Sequence, residues 1–548
     1  MSNAQDAGSS APGLRFTLDG RVVDVADDSG SLLEVLRDRL GVMSVKDGCS
    51  PQGQCGCCTV LVDGTPRVSC VTPARRVAGR TIETVDGLAP EVGARWSRAF
   101  VEAGASQCGF CTPGIIMRLE GHRRRGDDLS DRRVVGRALA AHLCRCTGWQ
   151  TIFEAAEDAG TAFSGSRSPA SEIDARDLDG AARRATIEGH RHQAVGPEVV
   201  LGRGGFADDR APRDAPVGLR AADGTLVVAD TAAGARAAIG KVQGRQSTQR
   251  STPPVPLPEP TEDWVSTLRT SWVDPGYIET DSSWCEPDGD PADPEANGGG
   301  FGGKAETPVR EQAAAGAALH GRPVRVRWSR EDVTRHGAKR PPLSLALRSD
   351  GSLRVVVART PGIGEVVASY ARDVGVASVT VTEVDVVGPP TSGSVRAAGW
   401  GEVAAFLAAT RARRDGTTRC EVTSPEGAWA SAECLPTGIE VEVRCGEVLD
   451  ATVLRSYCIG AAHMALGWVT SESLTVDDEG EVHTLTIRSL GIVRPLDMVP
   501  VDVTIHPDGD RGPVCGSDAV FAAVAGSVWA AQGCPPTWPT DVAFSVSG

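Results

Sequence analysis

The amino-acid sequence predicts an α+β multidomain protein, with a small β-grasp domain, a four-helix bundle and a larger mixed α/β domain in that order. A chain of 548 residues allows about three to four domains. Strand-like alternation fills residues 12–86, helical periodicity fills 88–163, and residues 196–548 mix both patterns. Two clusters of cysteines mark the first two regions. We therefore predict three domains with these bounds, and a linker at 164–195, where no apolar face is sustained.

The β-grasp domain is predicted from two hairpins that enclose one helix. Apolar residues alternate from Leu14 to Val25 around an Asp-Gly turn, which is a strong hairpin pattern. A second Asp-Gly turn follows the strand-like segment 59–62. The helix between the hairpins is predicted to end at Gly41. Its apolar face consists of Leu32, Leu33, Leu36 and Leu40.

The first cysteine cluster lies in this domain, in the stretch GCSPQGQCGCCTV and a later Ser-Cys pair. Four thiolates are the ligand set of a ferredoxin-like [2Fe–2S] site. Plant-type sites begin C-x4-C, whereas five residues separate the first two cysteines here. Because Gly53 and Gly56 tolerate positive φ, we expect the loop to absorb the extra residue as a wider turn. The candidate ligands are Cys49, Cys55, Cys58 and Cys70.

The second cluster belongs to the predicted bundle, in the stretches QCGFCTPG and LCRCTGW. Each of its two cysteine pairs precedes a predicted helix, where free N–H groups and the helix dipole stabilise thiolate charge. The candidate ligands are Cys108, Cys111, Cys144 and Cys146. The predicted helices are 92–104, 113–124, 131–143 and 149–162. We therefore predict a second [2Fe–2S] cluster at one end of a four-helix bundle.

Two other uses of the cysteines explain the sequence less well. Disulfides require an oxidising compartment, and residues 1–13 lack the basic and apolar regions of an export signal. Structural zinc also uses paired cysteines, but zinc does not account for a glycine-rich loop before a strand. Cys57, which stands between two candidate ligands, is expected to be a buried free thiol.

Composition limits the partners of the chain. A net charge of −15 argues against nucleic acid, which requires a basic surface. No apolar run reaches the length of a membrane span. The sequence therefore predicts a cytoplasmic protein without a nucleic-acid partner or a membrane span.

The two cysteine motifs, in this order, resemble the iron–sulfur portion of the molybdenum hydroxylases, the xanthine dehydrogenase/aldehyde oxidase family. The resemblance extends from residue 12 to about residue 160. In this family the cluster of the helical domain is the one nearest the molybdopterin cofactor. The resemblance implies that Gln107 hydrogen-bonds to the pterin and so links it to that cluster.

Segments after residue 196 resemble the molybdopterin-binding part of the same family. The run Gly299–Lys304 matches the GGxFGGK loop, where absent side chains would let backbone amides approach an anionic cofactor. The segment 390–396 resembles a loop whose arginine lies near the metal. The residues thereby assigned to cofactor binding are Gly300, Phe301, Gly302, Gly303 and Arg396.

Two departures from the family pattern bear on catalysis. The chain is contracted before the glycine-rich loop, where the family has a cofactor-binding glutamine. No glutamate follows Glu481, so the family's catalytic glutamate is absent, and Asp518 in GPVCGSD is the candidate replacement. Its side chain is one methylene shorter, and a general base must come within about 3 Å of its proton. Arg396 is the second candidate catalytic residue.

The resemblance implies a molybdenum-dependent hydroxylase or dehydrogenase that oxidises an N-heterocycle or aldehyde C–H with oxygen from water. Electrons would pass through the two clusters to a separate FAD-containing subunit, since the sequence shows no flavin domain. Two alternatives stay open. One is an iron–sulfur electron-transfer protein with an inactive C-terminal domain; the other is a contracted, family-like sequence whose C-terminal half binds no cofactor.

Overall fold

The computed structural model describes residues 13–26, 30–163, 176–240, 252–258, 263–509 and 511–542. All sixteen cysteines lie in these ranges. Each is buried, and none forms a disulfide.

A five-stranded sheet forms the N-terminal domain, and both predicted hairpins are present. Its strands are β1 (Leu14–Leu18), β2 (Arg21–Val25), β3 (Thr59–Val62), β4 (Thr65–Val68) and β5 (Thr81–Glu83). The order is β2-β1-β5-β3-β4, with β1 parallel to β5 and the other pairs antiparallel. Helix α1 (Leu32–Glu34) continues as a π-helical turn at Val35–Arg39. Three 3-10 turns follow, at Ser69–Val71, Ala74–Val77 and Val85–Gly87.

The predicted four-helix bundle comes next. Its helices are α2 (Pro90–Glu102), α3 (Thr112–Arg124), α4 (Arg132–Ala138), which extends as a 3-10 turn at Leu139–Ala141, and α5 (Gln150–Phe163). Trp96 is fully buried and donates its indole N–H to Glu120 at 3.0 Å. Arg123 and Arg124 also donate to this buried carboxylate, so the basic end of α3 satisfies a charge within the bundle.

The second half of the predicted linker is wrong, because Leu178–Gly189 is a helix, α6. Its buried face consists of small residues and one ion pair, among them Ala181, Ala185, Arg184 and Glu188. Because this face contains no large apolar residues, the apolar periodicity that predicts a helix is absent from the sequence. The first part of the predicted linker, residues 164–175, lies outside the described residues.

The remaining region is a mixed α/β assembly, as the sequence predicted. Its helices are α7 (Pro197–Val200), α8 (Ala207–Arg210), α9 (Ala232–Ile239), α10 (Val309–His320), α11 (Arg330–His336), α12 (Ile363–Asp373), α13 (Trp400–Arg414), α14 (Ala451–Thr470) and α15 (Ser517–Ala531), with a 3-10 turn at Ile487–Leu490. Its strands are β6 (Val217–Arg220), β7 (Leu226–Ala229), β8 (Trp264–Thr270), β9 (Ser282–Cys285), β10 (Val324–Arg327), β11 (Leu343–Arg348), β12 (Ser352–Ala358), β13 (Ser378–Val384), β14 (Cys420–Thr423), β15 (Trp429–Leu435), β16 (Gly438–Arg444), β17 (Val501–Ile505) and β18 (Thr537–Trp538).

These strands form three sheets, ordered β7-β6-β10-β9, β13-β12-β11-β8-β18 and β14-β15-β16-β17. Helices α14 and α15 lie at the centre, and α15 packs against α13 and β15. Trp468 stacks on Phe521 with ring centroids 5.0 Å apart, and it meets Trp538 edge-on. In the part of the chain that the structure describes, no helix combines the length and apolarity needed to cross a membrane.

Ion pairs join the β-grasp domain to the C-terminal region. Arg37 donates to both Asp208 and Asp209, at 2.7 and 2.8 Å, and Lys46 also binds Asp209. All these groups are buried or nearly so. Since a buried charge is tolerated only when it is paired, these contacts fix the β-grasp domain against the region that follows.

Candidate metal centres and active site

The first cysteine quartet lies in the loop before β3 and in the 3-10 turn after β4. The Cys49 thiol neighbours those of Cys55 and Cys70, and the Cys70 thiol also neighbours that of Cys58. All four are at most 6% exposed. The structure therefore brings these candidate ligands together, although Cys49 and Cys70 are far apart in sequence.

The loop accommodates its extra residue through backbone geometry, as expected. Gly53 and Gly56 have φ of 72° and 75°, and Ser50 also has a positive φ, of 47°. This path turns the N–H groups of Gln52 and Gln54 towards the Cys49 sulfur, at 3.2 and 3.5 Å. The neighbouring thiols of Cys55 and Cys70, followed by the backbone N–H of Gln54, outweigh burial and lower the pKa of Cys49 well below its ordinary value. This shift favours the thiolate that metal binding requires.

The second quartet lies at the end of the bundle, in the loops before α3 and α5. The sulfurs of Cys108 and Cys146 are 3.6 Å apart. A hydrogen bond from Cys111 lowers the pKa of Cys144 to about 6, with a further contribution from Thr147. All four side chains are at most 8% exposed. This quartet also satisfies the donor chemistry of a [2Fe–2S] site.

The two quartets are adjacent, and their loops are in direct contact. The N–H of Leu143 donates to the Cys55 carbonyl at 3.0 Å. Gly114 approaches the first loop so closely that a Cβ there would lie 2.5 Å from the Gly56 carbonyl oxygen. Cys57 is buried in the first loop, as predicted. The loops of the two quartets are therefore packed directly against each other.

The glycine-rich loop covers the second quartet. A Cβ at Gly299 would lie 2.9 Å from the Cβ of Cys108 and 3.0 Å from its sulfur. Asn297, just before the loop, donates to the Cys108 carbonyl at 2.8 Å. On the other side, the Phe301 carbonyl accepts the N–H of Arg396 at 3.0 Å. The loop is thus held between the quartet and the segment that carries Arg396.

Gln107 occupies the junction between the bundle and helix α14. It is buried, and its Nε2 donates to the Cys146 carbonyl and to the Ser456 hydroxyl, each at 3.0 Å. The residue that the family resemblance assigned to the pterin therefore already links the second quartet to the C-terminal region.

Arg396 and Asp518, predicted separately, meet in the structure. The Nε of Arg396 donates to Oδ1 of Asp518 at 2.7 Å, and the guanidinium also bonds to the Ser517 hydroxyl. His190 contacts the other carboxylate oxygen at 2.9 Å. Burial raises the pKa of Asp518, but Arg396 and then His190 outweigh it and lower the pKa to about 2. A carboxylate with so low a pKa is a weak proton acceptor.

Two residues at this site were not predicted. His190 and Glu188 lie at the end of α6, which the sequence analysis assigned to a linker. Glu188 accepts the N–H groups of Gly516 and Ser517, at 3.0 and 2.8 Å, and forms an ion pair with Arg184. No motif marks either residue, and only the fold brings α6 to the N-terminus of α15.

Comparisons with known proteins agree with this arrangement. The family model "[2Fe-2S] binding domain" matches residues 84–157. The xanthine dehydrogenase iron-sulfur-binding subunit of Escherichia coli O157:H7 is 45% identical over 128 residues, which are 22% of this chain and 76% of that protein. The nicotinate dehydrogenase small FeS subunit of Eubacterium barkeri is 39% identical over 132 residues, covering 24% of this chain and 83% of that protein. The chain belongs to the molybdenum hydroxylase family.

The fold of the whole chain also matches this family. The aldehyde oxidoreductase of Desulfovibrio gigas superposes with a TM-score of 0.70 at 15% identity, covering 96% of this chain and 98% of that one. The enzyme of Desulfovibrio desulfuricans gives 0.68 at 14% identity, covering 94% and 97%. At such identities the C-terminal region shares the fold of these molybdenum hydroxylases, and its chemistry has to be argued from its own residues.

Proposed function

We propose that this chain carries electrons through two [2Fe–2S] clusters as part of a molybdenum-hydroxylase-type oxidoreductase in the cytoplasm. The observation that supports this most directly is the contact between the two quartets through Leu143 and Cys55. Electrons from the C-terminal side would enter at Cys108, beneath the glycine-rich loop, and leave from the β-grasp domain. The acceptor would be a separate FAD-containing subunit.

The chain's own residues support this role in three ways. Eight buried cysteines supply two complete ligand sets, and each [2Fe–2S] cluster, when bound, takes up and releases one electron. The amides of Gln52 and Gln54 stabilise negative charge on the Cys49 sulfur. Both quartets are buried, so water is excluded from them. Water therefore does not protonate the thiolates or compete with them for iron.

In this arrangement the residues that the resemblance assigns to molybdopterin are packed against protein groups. Gln107 and Arg396 are already bonded to protein groups. The cavity between Phe301, Arg396 and Phe521 measures about 10 Å³, which is about the space of one water molecule. A pterin would have to separate the glycine-rich loop from the Arg396 segment. The electron-transfer function does not depend on such an opening.

Hydroxylation of an N-heterocycle or aldehyde is the second candidate function. The meeting of Arg396 with Asp518 favours it, because the resemblance placed both residues at the catalytic site. The substitution Asp518→Glu would lengthen the carboxylate by one methylene. If this is an active site, the variant should hydroxylate faster with an artificial electron acceptor, whereas no activity in either protein would exclude this function.

Metal analysis of the purified chain tests the proposal. We expect about four iron atoms and four acid-labile sulfides per chain, two of each per cluster, and two distinct paramagnetic signals after reduction. Molybdenum in equal proportion to the chain would support the hydroxylase function; its absence would support electron transfer alone. If the chain purified under anaerobic conditions contains no iron and does not take it up when iron and sulfide are added, both candidate functions are contradicted.

A further inference from the structure

The 3-10 turn Ile487–Leu490 of the C-terminal region packs against the loop of the first quartet. Gln52, from the loop, accepts the N–H of Ile487 through its side chain at 3.3 Å. Gln54, also from the loop, accepts the N–H of Arg488 through its side chain at 3.4 Å. The turn therefore meets the loop between the first two candidate ligands of the quartet.

The guanidinium of Arg488 joins the loops of both quartets. Its Nε donates to the Gln54 carbonyl at 3.0 Å, and its Nη2 donates to the Ala140 carbonyl at 3.0 Å. Ala140 lies just before the second loop, four residues ahead of Cys144. Because both acceptors are neutral carbonyl groups, these bonds hold the guanidinium in place and leave its charge uncompensated.

Within the part of the chain that the structure describes, no carboxylate offsets the charge of Arg488. The charged groups that shift its pKa are another cation, Arg494, and the thiols of Cys55 and Cys49. Glu331 accepts a hydrogen bond from the same loop at 2.8 Å, but it is not among those groups. Burial and then Arg494 lower the pKa of Arg488, yet a guanidinium stays protonated at neutral pH. Arg488 therefore presents a positive charge to the first quartet.

Two other arginines beside this loop each face a carboxylate. Arg327 forms an ion pair with Asp47 at 2.6 Å. Arg330 is buried against the loop and acts on the buried carboxylate of Asp281. Their charges are offset in a way that the charge of Arg488 is not.

The arginine within the second quartet is also neutralised. Arg145 stands between Cys144 and Cys146, and it donates to both carboxylate oxygens of Glu472, at 2.5 and 2.7 Å. Both side chains of this pair are at most 3% exposed. The two quartets therefore differ in their surroundings, because an unpaired cation acts on the first and a paired one lies in the second.

We propose that Arg488 raises the reduction potential of the first cluster, so that an electron passes from the second cluster to the first. Reduction adds one negative charge to a [2Fe–2S] cluster, and a nearby positive charge stabilises the reduced form. The reduced second cluster loses one electron and the oxidised first cluster gains it, with no bond broken and no proton moved. This inference rests on the proposed electron-transfer function and names the residue that gives the transfer its direction.

The distribution of a single electron between the clusters tests this role. The iron-loaded chain is reduced by one electron per chain, and the two paramagnetic signals are compared; the signal that remains in Cys111→Ser belongs to the first cluster. We expect the first-cluster signal to be the larger one in the wild type. Arg488→Gln should lower the ratio of first to second signal at least about tenfold, which corresponds to about 59 mV for one electron.

Two matched variants separate charge from structure. Arg488→Lys keeps the charge but not both hydrogen bonds, so its ratio should stay within about threefold of the wild type. Arg494→Gln removes an exposed neighbouring charge and should also change the ratio less than about threefold, because salt screens exposed charges. Equal losses in Arg488→Gln and Arg488→Lys would mean that the hydrogen bonds act and the charge does not, which would overturn the proposal.

Iron content and visible spectra show which variants hold both clusters. An unchanged ratio in Arg488→Gln with both clusters present would overturn the proposal. If this variant loses the first cluster, the wild type and Arg488→Lys decide: an electron that resides mainly on the second cluster in either of them would overturn the proposal. Missing signals in the wild type would instead contradict the proposed function itself.

Discussion

Asp518 shows how neighbouring residues decide what a carboxylate can do. Its position in the sequence suggested a substitute for the family's catalytic glutamate, but both of its oxygens are engaged, one by Arg396 and the other by His190. The sequence analysis predicted Arg396 and Asp518 because short motifs mark each of them. It could not predict His190 or Glu188, since their role follows only from the docking of α6 against α15.

The pair of His190 and Asp518 predicts a pH-dependent contribution to stability. The hydrogen bond to Asp518 raises the pKa of His190 above 6.5, so its stabilising effect is complete below about pH 6.5 and is lost as pH rises through the folded-state value. His190→Gln should therefore lower the urea midpoint at pH 6 and have little effect at pH 9. The neighbouring exposed His192→Gln should change neither midpoint; a His190→Gln effect that grows with pH would contradict the pairing.

The cysteine assignments predict selective loss of one cluster. Cys111→Ser removes a ligand of the second quartet, so one of the two reduced-state paramagnetic signals should disappear while the other stays. Cys57→Ser is the matched control, because Cys57 is equally buried between the quartets but is no predicted ligand; it should keep both signals. Loss of both signals in Cys111→Ser, or of neither, would refute two separate clusters.

Secondary-structure elements were predictable where the sequence pattern is local. The hairpins of β1–β4 follow from Asp-Gly turns between alternating residues, and the four bundle helices from their apolar periodicity. Helix α6 was missed because its buried face contains Ala181, Ala185 and the Arg184–Glu188 pair instead of large apolar residues. The composition of the glycine-rich loop indicated that its backbone would be closely packed. The composition did not indicate that the loop would contact the second quartet.

In the glycine-rich loop, the loss of stability on replacing a glycine by alanine should depend on the position of the glycine. Gly302 has φ of 79°, and a Cβ there would overlap the carbonyl of Ser394. Gly205 has the same φ of 79°, but a Cβ there would meet nothing within 4 Å. Gly205→Ala should therefore cost about 1–2 kcal/mol of unfolding free energy from backbone strain alone, and Gly302→Ala about 2–5 kcal/mol because steric overlap adds to it. Chemical denaturation of both variants measures the difference, and equal costs would mean that the loop can move away from Ser394.

At the scale of the whole molecule, the β-grasp domain, the bundle and the C-terminal region form one body joined by buried contacts. Lys46 and Arg37 reach Asp209, and Arg145 at the second quartet forms a bidentate pair with Glu472. Such pairs link residues more than 160 positions apart in the sequence. Charge content in the sequence shows that many ions exist, but only the folded chain shows which of them meet, so these contacts were beyond sequence prediction.

These contacts predict that iron stabilises the entire chain. The quartet loops pack against the C-terminal region, so we expect both to unfold in one common thermal transition. Metal binding contributes to the free energy of folding, and removal of iron by a chelator should therefore lower the midpoint of that transition. Near-ultraviolet circular dichroism reports on tryptophans of the C-terminal core, such as Trp468 and Trp529, and visible absorption reports on the clusters. If the tryptophan transition kept its midpoint without iron, the regions would be independent.

The cover that the glycine-rich loop and Asn297 place over Cys108 constrains how the protein is made. With Cys108 and Cys146 at most 8% exposed, iron and sulfide reach the second quartet only when the glycine-rich loop lifts away from it. During synthesis the bundle precedes residues 297–299, so the second quartet is then still uncovered. We therefore expect metal loading to be faster during synthesis than in the purified, folded chain.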